Sequence, residues 1–295
     1  MKYVLLGSLG NITKPLAQQL VAAGGQVTIV SSHADRGPAI TALGATPAIG
    51  SVEDTAFLTN TFQGADAVYT MVPPKFDAKD WKGFIGNIGR NYAAAIKAAG
   101  VKKVVNLSSV GADLPTGAGP VSGLHQTETA LDTLDDVDIR HLRAGIFFTN
   151  LLGTIRLIKQ AGIFGNNYGP DALLVMTHPR DIAAVAAEEL LGLQFKGISV
   201  RYIASDETNS REIAAVLGAA IGKPQLPYVE FKDDDNIKGL LGAGFNEDVA
   251  RNFTELGAAM RNGVVFADYK KHPVTLSPTK LEDFASEFAT AFSKA

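Results

Sequence analysis

A short apolar run at the start of the chain leads directly into two glycines spaced three residues apart. The run Tyr3–Leu6 is typical of a buried parallel strand, and Gly7 and Gly10 follow it. Apolar residues then recur every four positions from Ile12 to Leu20, which predicts a helix, and a second strand-like run follows at Val27–Val30. Strand, glycine turn, helix and second strand fit into about thirty residues, the size expected of one βαβ unit.

This glycine turn predicts a dinucleotide-binding site at the carboxyl end of the first strand. Glycine lets the backbone turn sharply and approach a diphosphate, whose charge is stabilised by the free amides and the dipole at a helix N-terminus. We expect these contacts from Gly7, Leu9, Gly10, Asn11 and Ile12. The alternative is an ordinary strand-to-helix turn that binds nothing, because glycines occur in the turns of many folds.

Thr13 occupies the position at which such turns usually carry a third glycine. That glycine normally allows the helix to lie close against the strand, and a β-branched side chain adds bulk there. Two outcomes are open: a weakened affinity for the cofactor, or a neighbouring small residue that makes room for Thr13. We expect the second.

Composition excludes several classes of function. The net charge of -3 provides no basic surface for nucleic acid, so we expect no nucleic-acid partner. The chain contains no cysteine, which excludes disulfides and thiol nucleophiles and fits a reducing compartment. No run of about eighteen apolar residues exists, and the start lacks the apolar segment of a signal peptide. The sequence therefore predicts a soluble cytoplasmic protein without a membrane partner.

Strand-like and helical segments alternate through the first half of the chain, which favours a parallel sheet covered on both faces. With 295 residues and 46% apolar content, the chain can bury a large core. We predict a doubly wound α/β fold of the Rossmann type. Residues 1–150 would form the nucleotide-binding domain, and residues 151–295 a smaller, interleaved α/β region for substrate or a partner, with some segments returning to the sheet. Six strands are predicted, at Tyr3–Leu6, Val27–Val30, Ala45–Ala48, Ala67–Met71, Lys103–Leu107 and Asp138–Leu142.

Four later segments extend the pattern beyond the opening turn. They are Asn91–Ser109, His141–Leu152, Asp181–Leu191 and Pro278–Phe284. In their order, and over nearly the whole chain, these segments resemble the NmrA-like family of atypical short-chain dehydrogenases/reductases. The resemblance implies an NAD(P)-binding Rossmann domain and a C-terminal region that roofs a pocket.

The end of the second strand bears on the choice between NAD(H) and NADP(H). NAD-specific folds place an acidic residue there to bind the ribose hydroxyls, whereas this chain reads S-S-H-A-D-R from residue 31. Ser31, Ser32 and Arg36 would instead donate to a 2′-phosphate, and we predict NADP(H). Asp35 would repel a phosphate if it pointed inward, and the alternative is that Asp35 and Arg36 only solvate a surface loop.

Further cofactor contacts are expected where the fourth and fifth strands end. Ligands of open α/β sheets lie across the carboxyl ends of the strands. Met71, Val72 and Pro73 follow the fourth strand, and Ser108 follows the fifth. We therefore expect these four residues to face the cofactor.

The Tyr-x-x-x-Lys pair, with which ordinary short-chain dehydrogenases protonate their substrate, is absent. His125 stands near the tyrosine site, with Thr129 four residues later. His125 is a candidate general acid, oriented by Glu128 one helical turn on, and Ser108 is a candidate donor to substrate. The alternatives are structural: His125 and Glu128 pack beside the sheet, and Ser108 satisfies local backbone groups.

Two classes of function remain open. One is an NAD(P)H-dependent reductase of a quinone or similar electrophilic acceptor, with Phe147, Phe148 and Asn150 as pocket walls. The other is a sensor that binds NAD(P) and engages a protein partner. No metal site is predicted, because His178 and Asp181 are better explained by a loop that leads to a helix capped by Asp181.

Overall fold

The computed structural model of the protein describes residues 1–295 and contains twelve strands and eleven α-helices. The strands are β1 (Lys2–Leu5), β2 (Gln26–Ser31), β3 (Thr46–Ile49), β4 (Ala67–Thr70), β5 (Lys103–Ser109), β6 (Asp138–Ala144), β7 (Ile146–Phe147), β8 (Phe164–Asn166), β9 (Leu174–Thr177), β10 (Ile198–Ile203), β11 (Asp206–Thr208) and β12 (Tyr228–Glu230). The helices are α1 (Thr13–Ala22), α2 (Gly37–Ala42), α3 (Thr55–Phe62), α4 (Trp81–Ala99), α5 (Pro120–Leu131), α6 (Ile155–Ala161), α7 (Pro179–Gly192), α8 (Ser210–Ala220), α9 (Asp233–Gly242), α10 (Glu247–Arg261) and α11 (Leu281–Lys294). Four 3₁₀ helices lie at Ala34–Arg36, Phe148–Thr154, Val264–Phe266 and Tyr269–Lys271. None of the helices has the length and hydropathy needed to cross a membrane.

A seven-stranded parallel sheet forms the centre of the molecule. Its strand order is β10-β6-β5-β4-β1-β2-β3. The order reverses direction between β1 and β4, and at such a point the carboxyl ends of the strands open a crevice for ligands. The predicted doubly wound Rossmann-type fold is confirmed, and each of the six predicted strands lies within two residues of its observed bounds.

Helices cover both faces of this sheet. On one face, α1 and α7 pack over Leu5, Tyr69 and Leu107. On the other, α3, α4 and α5 pack over the face that carries Val4 and Val68. Because neither face of the central strands meets water, their sequences are almost continuously apolar, and this is why β1 and β4 were recognisable.

The second half of the chain builds a further core beyond the carboxyl ends of β5 and β6. Its largest fully buried side chains are Phe148, Phe164, Phe266, Phe284 and Phe288. Two small sheets, β11-β9-β7 and β12-β8, accompany it. Strand β10 and helix α7 return to the central sheet, so the later half of the chain contributes to both parts. The domain boundary near residue 150 stays a prediction.

Candidate functional site

The loop between β1 and α1 forms a cradle of free backbone amides. Two residues with positive φ, Gly7 at 104° and Ser8 at 54°, turn the chain sharply after the strand. The amides of Leu9, Asn11 and Ile12 donate to no acceptor within the protein, and no side chain caps α1. Free amides and the helix dipole attract an anion at this position. The cradle therefore suits a diphosphate.

Thr13 fits beside this turn because Gly7 has no side chain. The Thr13 hydroxyl donates to the Leu6 carbonyl at 2.9 Å. A Cβ atom on Gly7 would lie 2.5 Å from Thr13 Oγ1 and 3.1 Å from Met71 Sδ. The turn is closed by the Gly10 amide, which donates to the Gly7 carbonyl at 3.1 Å. Gly7 is thus the small neighbour that makes room for Thr13.

The end of β2 corrects one part of the cofactor prediction. Ser31 is buried, and its hydroxyl accepts from the Ser8 hydroxyl at 2.9 Å and from the His33 amide at 3.2 Å. It also donates to the His33 carbonyl at 3.3 Å, so it fastens the two loops together and has no donor left for a phosphate. Ser32 and Arg36 are exposed, and their side chains form no hydrogen bond or ion pair within the protein.

The segment Met71–Pro73 leaves β4 at the crevice. The Tyr92 hydroxyl donates to the Met71 carbonyl at 2.7 Å, and burial raises the pKa of Tyr92, which keeps its proton in place. The half-buried side chains of Leu9, Met71 and Phe147 pack against the same core under α1 and α7. The loops after β1 and β4 therefore lie against the same core as the end of β7.

Ser108 presents a buried hydroxyl at the carboxyl end of β5. Its side chain is 4% exposed, and its Oγ atom has no hydrogen-bond partner within the protein. An unpaired buried hydroxyl costs about 1–3 kcal/mol. A ligand oxygen bound beside Ser108 would recover that cost, which fits the predicted role of this serine at the site.

A buried ionic cluster lies beside Ser108, whose register partner on β6 is Arg143. The Arg143 guanidinium donates to both carboxylate oxygens of Glu128, at 3.1 and 2.7 Å, and to the Tyr202 hydroxyl at 3.1 Å. Tyr202 in turn donates to Asp268, and burial together with this carboxylate raises the pKa of Tyr202. Sequence reasoning missed the cluster because its members lie far apart in the chain and meet only through the fold.

The structure changes the expected setting of His125. Its Nδ1 atom donates to the Ala112 carbonyl at 2.8 Å. Glu128 binds the arginine of β6 instead, so the prediction that it orients His125 is wrong. His125 lines a groove along α4 and α5 together with Arg90 and Thr133, and none of the crevice residues described above lines this groove.

The three predicted pocket residues separate in the structure. Phe148 is fully buried in the C-terminal core and stacks on Phe284 with ring centroids 5.5 Å apart. The prediction that Phe148 forms a pocket wall is therefore wrong. Asn150 is exposed on the 3₁₀ helix Phe148–Thr154, and its role stays a prediction. Phe147 is half-buried at the end of β7 and packs against the core under α1 and α7, and its role as a pocket wall stays a prediction.

The helix cap expected at Asp181 is formed by His178. Nδ1 of His178 accepts from the Arg180 amide at 3.0 Å. Asp181 is buried in the first turn of α7, where it accepts from Ser205 Oγ at 2.6 Å and from Thr279 Oγ1 at 2.9 Å. This carboxylate thus ties α7 to the segment before α11 and has a structural role.

A parallel sheet with an anion cradle at its strand reversal defines a nucleotide-binding protein of the Rossmann class. Residues 7–136 match the family described as NAD(P)H-binding. The NAD(P)-binding Rossmann superfamily predicted from the sequence is therefore confirmed.

Relatives match along nearly the whole chain. The protein is 26% identical over 292 residues to the (4-alkanoyl-5-oxo-2,5-dihydrofuran-3-yl)methyl phosphate reductase of Streptomyces griseus, covering 98% of this chain and 99% of the relative. It is 25% identical over 296 residues to the NAD(P)H azoreductase of Xenophilus azovorans, covering 99% of both. The NADPH-dependent quinone oxidoreductase of Escherichia coli, in its complex with NADPH, shares the fold with a TM-score of 0.81 at 22% identity, covering 97% of this chain and 99% of that one.

Proposed function

We propose that the protein is an NAD(P)H-dependent reductase that transfers a hydride to a quinone or a similar electrophilic small molecule. The observation that carries the proposal is that the amide cradle after β1 and the unpartnered Ser108 hydroxyl near the end of β5 lie at the carboxyl ends of parallel strands in one sheet, with only β4 between them. The relatives support it, because both curated ones are reductases and both match over the full length of this chain.

The chain offers groups for the diphosphate and the 2′-phosphate of a dinucleotide. The amides of Leu9, Asn11 and Ile12 would hold the diphosphate, and the glycine at position 7 would let it approach the backbone. Ser32 and Arg36 would bind a 2′-phosphate, which favours NADP(H). The bound nicotinamide supplies the hydride.

The protein's own contribution is binding, orientation and the exclusion of water. In this proposal Ser108 Oγ holds its proton and donates to the acceptor oxygen on which charge develops. Met71 and Phe147 are half-buried beside the core under α1 and α7 and would cover the crevice with apolar surface. A quinone oxygen is stabilised by its own ring, so a hydroxyl donor suffices where other short-chain dehydrogenases use Tyr-x-x-x-Lys. We assign no proton transfer to His125, because the groove that His125 lines is separate from the crevice.

The proposal is tested by stopped-flow oxidation of NADPH and NADH with a panel of quinones. We expect turnover with at least one quinone and a preference for NADPH. Tight cofactor binding without turnover of any acceptor would instead support the sensor that engages a protein partner. That partner, and the cytoplasmic location, stay predictions.

A further inference from the structure

Strand β10 forms one edge of the seven-stranded sheet, and one side of its backbone has no partner strand. Its other side pairs with β6, where the Ile139 amide donates to the Gly197 carbonyl at 2.8 Å. Because backbone groups alternate in direction along a strand, the amides and carbonyls of Ile198, Val200 and Tyr202 point away from β6. A row of unpaired backbone groups of this kind is a template for pairing with another strand.

The open part of this edge has a defined length. Beyond Tyr202 the segment before α11 covers the edge, because the Ser277 amide donates to the Ala204 carbonyl at 2.7 Å. The open stretch therefore runs from Ile198 to Tyr202, with Val200 at its centre. A copy of this stretch, turned by a two-fold axis at Val200, pairs with it over its full length as an antiparallel strand and forms about six backbone hydrogen bonds.

Exposed apolar side chains lie along the open stretch. Ile198 is 51% exposed and Val200 is 38% exposed. Both lie on the α5 side of the sheet, because the register partner of Ile198 is Ile139, which packs in the core under α5. Proteins usually protect an exposed edge with charged residues. This edge instead presents two β-branched apolar side chains, which fit the surface of an added strand.

The amino end of this edge is acidic. Asp135 and Asp136 are exposed in the loop between α5 and β6 and take part in no ion pair. The Asp138 carboxylate is paired with two lysine side chains, at 2.9 and 3.5 Å. Lys102 is an unpaired cation at the same end of the sheet, so the two aspartates leave a net negative charge there.

The carboxyl end of the same edge is basic. Lys270, Lys271 and His272 are exposed, and the His272 ring packs against the Tyr202 ring with centroids 5.2 Å apart. Lys270 takes part in no ion pair, and the Asp268 carboxylate lies 3.7 Å from the Lys271 ammonium. In an antiparallel pair the acidic end of one copy lies opposite the basic end of the other, so the copies attract each other on both sides of the axis.

The opposite face of β10 adds no repulsion. The Arg201 guanidinium is paired with Glu188 and Glu189, at 3.0 and 2.8 Å. Across the two-fold axis Arg201 lies opposite Ser199, a small polar residue. The pairing therefore places no two uncompensated like charges opposite each other.

We propose that the open edge of β10 is the interface of a homodimer, in which the sheets of two copies join across a two-fold axis at Val200. The partner is a second copy of the chain because the surface is complementary to itself: its centre is apolar and its two ends carry opposite charges. The glycine turn and Ser108 lie on other strands, so this inference does not depend on the proposed reductase function.

Sedimentation equilibrium of the full chain tests the interface. We expect a monomer–dimer equilibrium with a dissociation constant in the micromolar range, because a pair of edge strands buries less area than a standard interface. Val200→Lys places two like charges opposite each other at the axis and should weaken the dimer at least about tenfold. Ile49→Lys is the matched control and should leave the dissociation constant unchanged, because Ile49 is 41% exposed on β3, the other edge of the same sheet.

Variants with exchanged charges test how the two copies are oriented. A variant with Asp135→Lys and Asp136→Lys is basic at both ends of the edge. A variant with Lys270→Glu and Lys271→Glu is acidic at both ends. Each variant alone should dimerise at least about tenfold more weakly, because like charges then meet on both sides of the axis. An equimolar mixture of the two restores both attractive contacts and should dimerise within about threefold of the unsubstituted protein.

A monomer at every concentration up to the millimolar range would overturn the inference. A dimer that Val200→Lys leaves intact would also overturn it, because the interface would then lie elsewhere. Circular dichroism establishes that the charge variants are folded. If the folded variants stay monomeric when mixed, the antiparallel arrangement is refuted.

Discussion

Replacing Gly7 by alanine tests how the opening turn is built. Gly7 has a φ of 104°, which residues with a side chain rarely adopt, and its added Cβ would lie 2.5 Å from Thr13 Oγ1. Gly24 is a matched control, because its φ is 82° and an added Cβ would meet nothing within 4 Å. The two substitutions thus share the backbone strain, and only Gly7→Ala adds steric overlap.

The expected magnitudes follow from these two contributions. Left-handed backbone costs a residue with a side chain about 1–2 kcal/mol, and a smaller unfolded-state entropy offsets about 0.4–1 kcal/mol of it. We therefore expect Gly24→Ala to lower the free energy of unfolding by about 1 kcal/mol. Overpacking adds about 1–3 kcal/mol, so Gly7→Ala should lower it by about 2–4 kcal/mol.

Urea unfolding followed by Trp81 fluorescence measures both losses, and calorimetry measures NADPH affinity. We expect Gly7→Ala to weaken NADPH by more than about tenfold, since the cradle must shift, and Gly24→Ala to leave it unchanged. Adding Thr13→Ala to Gly7→Ala removes the hydroxyl that the new methyl group meets, so the double variant should lose less than the sum of the single losses. If Gly7→Ala costs no more than Gly24→Ala, the packing argument for Thr13 is refuted.

Three further predictions concern the cofactor, the chemistry and acid stability. Arg36→Ala should weaken NADPH by about tenfold in calorimetry and leave NADH within about twofold, since only NADPH carries the 2′-phosphate; equal losses would contradict the assignment. Ser108→Ala removes a buried hydroxyl that has no partner, so the melting temperature should stay the same or rise. The kcat with a quinone should fall at least about tenfold, and an unchanged kcat would exclude Ser108. The Lys103 ammonium and the Gly197 amide lower the pKa of Asp138 to about 2. Because this pKa lies below the ordinary value, the ionised Asp138 stabilises the fold above about pH 4, and this stabilisation is lost as the pH falls toward 2. The melting temperature of Asp138→Asn should therefore depend less on pH in that range than the melting temperature of the unsubstituted protein. Identical pH profiles for the two proteins would contradict this.

The sequence predicted those parts of the fold that depend on a local pattern of apolar residues. Strands β1 and β4 are buried on both faces and therefore carry continuous apolar runs. Strand β10 was missed because it lies at the edge of the sheet, where Ile198 and Val200 are exposed and alternate with polar residues. An edge strand of this kind lacks the apolar continuity on which the prediction relied.

The candidate site likewise contains features that depend on local sequence and features that depend on contacts between distant residues. The glycine turn is a local feature, whereas the partner of Glu128 is not. The spacing suggested that Glu128 contacts His125 on the same helix, but Glu128 binds a buried arginine on β6 instead. Phe147 and Phe148 are neighbours in sequence, yet Phe147 lies at the end of β7 and Phe148 begins a 3₁₀ helix that enters the other core. The Asn246 side chain donates to the Phe76 carbonyl across about 170 residues of sequence, and no local pattern predicts such a contact.

A crystal structure of the protein with NADPH would test the central claim most directly. The account predicts that the diphosphate accepts hydrogen bonds from the amides of Leu9, Asn11 and Ile12, and that the nicotinamide lies beside Ser108. A diphosphate bound away from these amides, or no bound nucleotide at millimolar NADPH, would contradict it.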